Sequence, residues 1–306
     1  MSDGRPILVI KLGALGDFVQ ALGPFAAIRR HHAAQRIILL TTAPFLSLAE
    51  ASGYFDEIHS DGRPEWWRLD QLLRLRKWLR EIGPCRVYDL QTSGRSSRYL
   101  ALFESPKPEW SGIAPGCSHP HANPARDAMH TVDRQAEQLA AAGVNMISDS
   151  DMSWLAADTA RFDLPANAVL LAPGGAAHRP EKRWPHYAAL ANALLARDLT
   201  PVVIGPREEQ DVTAAICAAC PQTIDLTGRT SLLEIAGLAQ HALGAVGNDT
   251  GPMHLIAATG CPSLVLYSSA SDPALCGQRG AAVQILRRED LAMLSVEEVE
   301  AQLTLR

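Results

Sequence analysis

Three glycine-bearing segments hold the side chains best suited to chemistry. In KLGALGD, Lys11–Asp17, an apolar run ends in a turn that Gly13 and Gly16 allow to be tight, with backbone N–H groups exposed. Asp17, at the mouth of that strand, is a carboxylate able to accept a proton from a substrate hydroxyl; alternatively it caps a helix starting near Phe18. The G-x-x-G spacing is not the dinucleotide fingerprint, and no ribose-binding acid follows about 20 residues on. The second segment, APGGAAHRPEKRWP (Ala172–Pro185), offers Gly174 and Gly175 as backbone donors and Arg179, Lys182 and Arg183 as cations. That combination suits a diphosphate leaving group, although a solvated charged loop has the same composition. The third, GNDTGPMH (Gly247–His254), sets Asp249, Thr250 and Gly251 at the start of a helix with Pro252 in its first turn, where N–H groups and the helix dipole attract phosphate. Asp249 as a plain N-cap, and His254 as a core histidine rather than a phosphate contact, are the competing readings. Two phosphate-type loops in one half of the chain point to a nucleotide-diphosphate site there.

The elements that must carry these segments follow from hydrophobic periodicity. Strands are expected at Ile7–Lys11, Ile37–Thr41, Phe55–His59 and Arg86–Leu90, with helices at Asp17–His31, Pro44–Ser52, Trp66–Ile82, Gly94–Phe103 and Val132–Ala142. Residues 105–127, with five prolines, read as an irregular loop, and Asn145–Ala166 as a linker. The alternation then restarts. Strands are expected at Ala168–Ala172, Pro201–Ile204, Ile224–Leu226, Leu243–Val246 and Ser263–Tyr267, with helices at His186–Arg197, Glu208–Ala219, Leu232–Gln240, Pro252–Ala258 and Val296–Leu303. Such alternation builds parallel βαβ units, so the expected fold is α/β: two Rossmann-like, doubly wound lobes, residues 1–155 and 156–306, facing a cleft.

Charge and composition narrow the function. At 47% hydrophobic and 20% charged, the 306 residues have the composition of a globular protein, without an apolar stretch long enough to span a bilayer. The run Ile7–Ile10 is too short for a secretory signal, so the cytoplasm is the expected compartment. A net charge of -5 argues against nucleic acid as a partner. Within that acidic chain, residues 61–80 hold six basic side chains (Arg63, Arg68, Arg74, Arg76, Lys77, Arg80) against three acids. The helix Trp66–Ile82 is thus either an ordinary surface helix or a basic, aromatic edge facing an anionic glycolipid at a membrane surface. Cys217 and Cys220 form a CxxC late in a helix with no second pair, and His119 and His121 lie in the proline-rich loop without an evident carboxylate partner, so no metal is expected.

Taken together and in order, KLGALGD, PGG…RPEKRWP and NDTGPMH, followed by Gly260-x-Pro262, resemble glycosyltransferase family 9, the ADP-heptose:lipopolysaccharide heptosyltransferases; DLQTSGRSS (Asp89–Ser97) also resembles a segment of that family. The resemblance implies a GT-B fold and an inverting, metal-independent sugar transfer to an inner-core lipopolysaccharide acceptor, with no cofactor beyond the ADP-sugar donor. It implies Asp17 as the general base and Lys182 as the cation facing the donor diphosphate. Asp249, Thr250, Gly251 and His254 match the donor-binding motif, Thr230 lies near the nucleoside, and Glu208 meets the ribose, with the adjacent Glu209 not separable from it. Arg95, together with Arg63 and Arg98, is implied in acceptor binding, and peripheral contact with the cytoplasmic face of the inner membrane would suit such an acceptor. The segment Tyr267-Ser268-Ser269-Ala270 differs from many relatives, which leaves nucleobase and donor sugar open. A sugar-nucleotide epimerase on the same fold, or a catalytically silent nucleotide-sugar-binding module, are the alternatives.

Overall fold

The computed structural model describes residues 4–61, 63–65, 67–145 and 151–306. The chain divides into two compact units, Met1–Asp151 and Met152–Arg306. The first carries β1 (Ile7–Ile10), α1 (Leu15–Val19), α2 (Leu22–His31), β2 (Ile37–Thr41), α3 (Leu46–Ser52), β3 (Glu57–Ser60), α4 (Leu69–Ile82), β4 (Arg86–Asp89), α5 (Gly94–Arg98), β5 (Glu109–Gly112), β6 (His119–Pro120) and α6 (Thr131–Ala141). The second carries β7 (Ala168–Ala172), α7 (Tyr187–Ala196), β8 (Thr200–Val203), α8 (Gln210–Ala219), β9 (Ile224–Asp225), α9 (Leu232–His241), β10 (Gly244–Asn248), α10 (Gly251–Ala258), β11 (Ser263–Tyr267), α11 (Pro273–Cys276), β12 (Val283–Arg287) and α12 (Val296–Gln302).

Among the described residues each unit holds one six-stranded parallel sheet, ordered β3-β2-β1-β4-β5-β6 in the first and β12-β11-β10-β7-β8-β9 in the second. Counted from the first strand of each unit, both orders are 3-2-1-4-5-6, the dinucleotide-fold winding that reverses between strands one and four. The central strands are apolar throughout (ILVI in β1, AVLLA in β7) and buried along their whole length, as required when helices cover both faces of a parallel sheet. The fold class read from periodicity is therefore borne out.

Where the sequence reading departs from the structure, the causes are local. The expected helix Asp17–His31 is two helices, broken at Gln20–Ala21, and the expected helix Gly94–Phe103 ends at Arg98 before a 3-10 turn over Tyr99–Leu102. Residues 105–127 are not wholly irregular. β5 pairs with β4, and Ser111 and Gly112 align with His119 and Pro120 of β6, the prolines falling outside or at the edge of these short strands. His121 does find a carboxylate, its Nε2 lying 3.2 Å from Glu137 Oε1 of α6. β12, half-exposed at a sheet edge, carries too little apolar alternation to be read from sequence. The expected linker Asn145–Ala166 lies partly outside the described residues; from Met152 on it belongs to the second unit. Leu155 is fully buried, and Gly237 of α9 leaves no room for a Cβ against the Ala157 carbonyl. The expected helix Trp66–Ile82 begins at Leu69, Trp66 itself lying outside the described residues. Among the described residues no helix is long and apolar enough to cross a membrane.

Candidate functional site

In the second unit, the loops leaving β7 and β10 meet where the sheet reverses its winding, the usual ligand position in such sheets. Asn248 closes the gap. Fully buried, it donates from Nδ2 to the Pro173 and Gly174 carbonyls at 2.7 and 2.9 Å, while its Oδ1 accepts from Trp184 N–H and the Tyr187 hydroxyl, both at 3.2 Å. The Gly174–Gly175 turn is also held from the far side. Glu209 Oε1 accepts Gly175 N–H at 2.9 Å, Arg183 donates to the Gly175 carbonyl at 2.6 Å, and a Cβ on Gly174 would fall on the Glu209 carboxylate. Burial raises the Glu209 carboxyl above its ordinary range despite that backbone hydrogen bond. Glu208, by contrast, is exposed, so the structure separates the two neighbours that the sequence does not.

Lys182 closes a 3-10 turn over Pro180–Lys182, and its ammonium lies 2.5 Å from Asp249 Oδ2 with both side chains largely buried. Asp249 also accepts from Ser271 Oγ at 2.8 Å and Gln278 Nε2 at 3.3 Å. Burial opposes its ionisation, but the hydrogen bond and charge of Lys182, with help from Ser271 and Tyr267, outweigh it and hold the carboxyl below the ordinary aspartate value. Asp249 is not the N-cap of the following helix. Thr250 occupies that position without capping through its side chain, and its Oγ1 is buried with no hydrogen-bond partner among the described residues. The first turn of α10 therefore presents backbone N–H groups, a positive dipole end and a spare hydroxyl beside the Asp249–Lys182 pair. His254 is buried within α10, and Thr230 lies half-buried just before Ser231, the N-cap of α9.

The first unit repeats the geometry with different chemistry. Asp17 is half-buried at the third position of α1, and its Oδ2 accepts Ala14 N–H at 3.3 Å, so it both sits in the helix and braces the turn before it. Gly13 has a φ of +112°, and a Cβ there would lie 2.6 Å from the Phe45 ring, so the turn requires glycine. Arg63 donates to the Leu12 carbonyl of the same turn, and Arg95 donates to the Pro64 carbonyl at 2.6 Å. The 63–65 segment thus ties both arginines to the Asp17 loop. Arg98 is exposed on α5 and joins neither.

Beneath them lie two buried charged residues to which the sequence reading gave no role. Lys11, buried at the end of β1, donates from Nζ to the Leu90 carbonyl at 3.0 Å. Asp89, at the end of β4, accepts the Gln91 and Thr92 N–H groups on Oδ1, while its Oδ2 has no partner among the described residues. Burial lowers Lys11 to about 8, aided by Arg134 and opposed by the charges of Asp17 and Asp89. Burial likewise raises Asp89 to about 6, against those backbone hydrogen bonds, one from Ser96 and the charge of Lys11. The available signal was a polar residue closing each apolar strand run (ILVI-Lys11, Val87-Tyr88-Asp89, AVG-Asn248) at the ends where these sheets bind ligands.

A family model described as glycosyltransferase family 9 (heptosyltransferase) matches residues 73–301. The chain belongs to glycosyltransferase family 9. It is 35% identical over 104 residues to lipooligosaccharide heptosyltransferase 2 of Haemophilus influenzae, a match covering 32% of this chain and 30% of that protein. The chain therefore spans about a third of the length of this curated relative. Over nearly the whole chain, the fold superposes on Escherichia coli ADP-heptose lipopolysaccharide heptosyltransferase II with a TM-score of 0.79 at 21% identity, covering 98% of this chain and 97% of that one. A family 9 glycosyltransferase from Veillonella parvula gives 0.82 at 19% identity, with coverage of 98% and 97%. The two Rossmann-like units are the GT-B type of fold.

Two outcomes follow from the buried polar groups of this family 9 chain. Asn248→Asp is isosteric but turns a donor into an acceptor facing two carbonyls, and should destabilise the protein by about 2–4 kcal/mol in urea denaturation; a loss below about 1 kcal/mol would show that the network is not holding the loops. Asp89, raised from 3.8 to about 6, keeps a proton in the folded state that the unfolded chain has released between those values. Its contribution is fully present below about pH 4 and is lost as pH rises through 6. The stability of Asp89→Asn relative to wild type should therefore rise by roughly 1–3 kcal/mol from pH 4 to pH 7, and a pH-independent difference would contradict the assignment.

Proposed function

We propose that the protein transfers a heptose, or a related sugar, from an ADP-linked donor to an inner-core lipopolysaccharide acceptor, with inversion at the anomeric carbon. The observation that carries this reading is the ammonium of Lys182 held 2.5 Å from Asp249 beside the uncapped first turn of α10, in a chain of family 9. A diphosphate that develops negative charge as it leaves is best met by preorganised donors, and these are a lysine, the backbone N–H groups of the first turn of α10 and the spare Thr250 hydroxyl, the Gly175 N–H being already taken by Glu209. Asp249 holds the Lys182 ammonium in place through that ion pair. The reading gives neutralisation of the leaving group to these groups rather than to a metal ion. Support for ADP-heptose comes from the matched Escherichia coli enzyme, which is described by that donor.

In this reading the second unit is the donor half, where Thr230 and His254 line the nucleoside and phosphate and exposed Glu208 contacts the ribose, Glu209 being committed to Gly175. The first unit is the acceptor half. Asp17 takes the proton of the acceptor hydroxyl as its oxygen bonds to the anomeric carbon; the bond from that carbon to the diphosphate oxygen breaks, and ADP departs with the electron pair. Arg63, Arg95 and Arg98 meet the acidic groups of the acceptor, Arg63 through its link to the turn that ends at Asp17.

Asp17→Asn keeps the size and loses the basicity, so transfer to a deacylated core acceptor should fall about 10²–10⁴-fold with ADP affinity little changed. Near wild-type turnover would remove Asp17 from the role of base. Donor consumed at the same rate with and without acceptor would replace transfer with a donor-only reaction. Lys182→Met removes a charge-assisted hydrogen bond and should weaken ADP binding about 10–100-fold by calorimetry. Unchanged affinity would place the diphosphate elsewhere.

A further inference from the structure

The amphipathic helix α4 turns Leu75 and Leu79 into the core of the first unit, with Trp78 stacked on His59 at 3.9 Å between ring centres. Its opposite side also carries exposed apolar side chains. Leu69 and Leu73, one turn apart, are 66% and 60% exposed, and Trp67 just before the helix is 59% exposed. These are three of the five large hydrophobic side chains exposed among the described residues. Further along the same face, at spacings of three and four, come Arg76, Lys77 and Arg80.

Residues 67–82 carry five basic and two acidic side chains, so this strip is net positive in a chain of net charge -5. Lys77 and Arg74 make only exposed pairs with Glu81 and Asp70, at 3.7 and 2.9 Å, and Arg76 has no acidic partner among the described residues. Arg80 is paired with Glu104 at 2.5 Å, so the excess charge lies at Arg76 and the loosely paired Lys77, and a leucine pair followed by these two cations matches a surface that is apolar below and anionic above. That is a bilayer of acidic phospholipid rather than the mixed surface of a protein. The strip also leads directly to the chemistry, since Arg63–Glu65 immediately precede it and bind the Leu12 turn and Arg95.

We propose that the outer face of α4, Leu69, Leu73, Arg76 and Lys77 with Trp67 ahead of them, docks the protein on an anionic phospholipid bilayer. The proposal rests on the function proposed above and deepens it, because a lipid-anchored acceptor then meets the arginines at the end of the surface that its own membrane covers. The test is co-sedimentation of the full chain with vesicles containing phosphatidylglycerol, and with vesicles of phosphatidylcholine alone. Wild type should bind the anionic vesicles at least tenfold more tightly, and salt should weaken binding. The double variants Leu69→Ser/Leu73→Ser and Arg76→Glu/Lys77→Glu should each weaken binding about tenfold or more, with unchanged melting curves. Both should retain transfer to a water-soluble, deacylated acceptor while losing transfer to acceptor embedded in vesicles. Equal binding to both lipids, variants that bind like wild type, or a dimer in light scattering that the leucine variants abolish would each overturn the proposal. Failure of wild type to use even the soluble acceptor would instead overturn the function proposed above, and the vesicle binding would be judged independently.

Discussion

Where a parallel sheet reverses its winding, neighbouring strands send their loops in opposite directions, and the backbone groups at the strand ends lose their ladder partners. Water would fill the gap in an unbraced sheet, and the loops would be free to move. Both units of this protein brace that gap with buried side chains. In the second, the Asn248 amide reaches across to the turn leaving β7 through two hydrogen bonds and to Trp184 and Tyr187, just before and at the start of α7, through two more. In the first, Lys11 donates to the Leu90 carbonyl and Gln91 Oε1 accepts Leu12 N–H at 2.7 Å, so each loop holds the other. Lys182, Asp249 and Asp17 all lie on or next to loops braced in this way.

The Lys182–Asp249 pair illustrates why burial matters here. Two charges taken largely out of water are costly unless each stays hydrogen-bonded, and Asp249 is, through Lys182, Ser271 and Gln278. The reward is functional rather than structural. On the proposed reading, a lysine tethered by a carboxylate loses little further freedom when a second anion arrives, whereas an exposed lysine would have to be ordered and desolvated at that moment.

Much of this architecture is legible in the chain itself. Apolar runs such as ILVI and AVLLA can be buried on both faces only in a parallel sheet, and the loops that follow them carry glycines and charges where such sheets hold ligands. What escaped the sequence reading was set by tertiary contact. β12 and β6 are short or half-exposed and take their strand form from a neighbour. Glu208 and Glu209 are equivalent as letters and become different only when the turn after β8 presses Glu209 against Gly175. Lys11 closes the expected strand Ile7–Lys11, and its burial as a lysine depends on a carbonyl of the opposing loop, Leu90, which the letters do not reveal.

The two gaps differ in one respect that bears on chemistry. Beneath the β7 and β10 loops the central brace is the neutral Asn248 amide, with Glu209 and Arg183 holding the Gly174–Gly175 turn from its far side. Under the Asp17 loop the brace is itself charged: Lys11 and Asp89 are both buried, and the ammonium interacts with both Asp89 and Asp17. Asp89 and the Leu90 carbonyl keep that cation from being an isolated buried charge. A neutral brace in that position would support the loop as well but would leave Asp17 without this partner. The two units thus brace equivalent gaps by different means, a neutral amide at the centre of one and two buried charged side chains in the other.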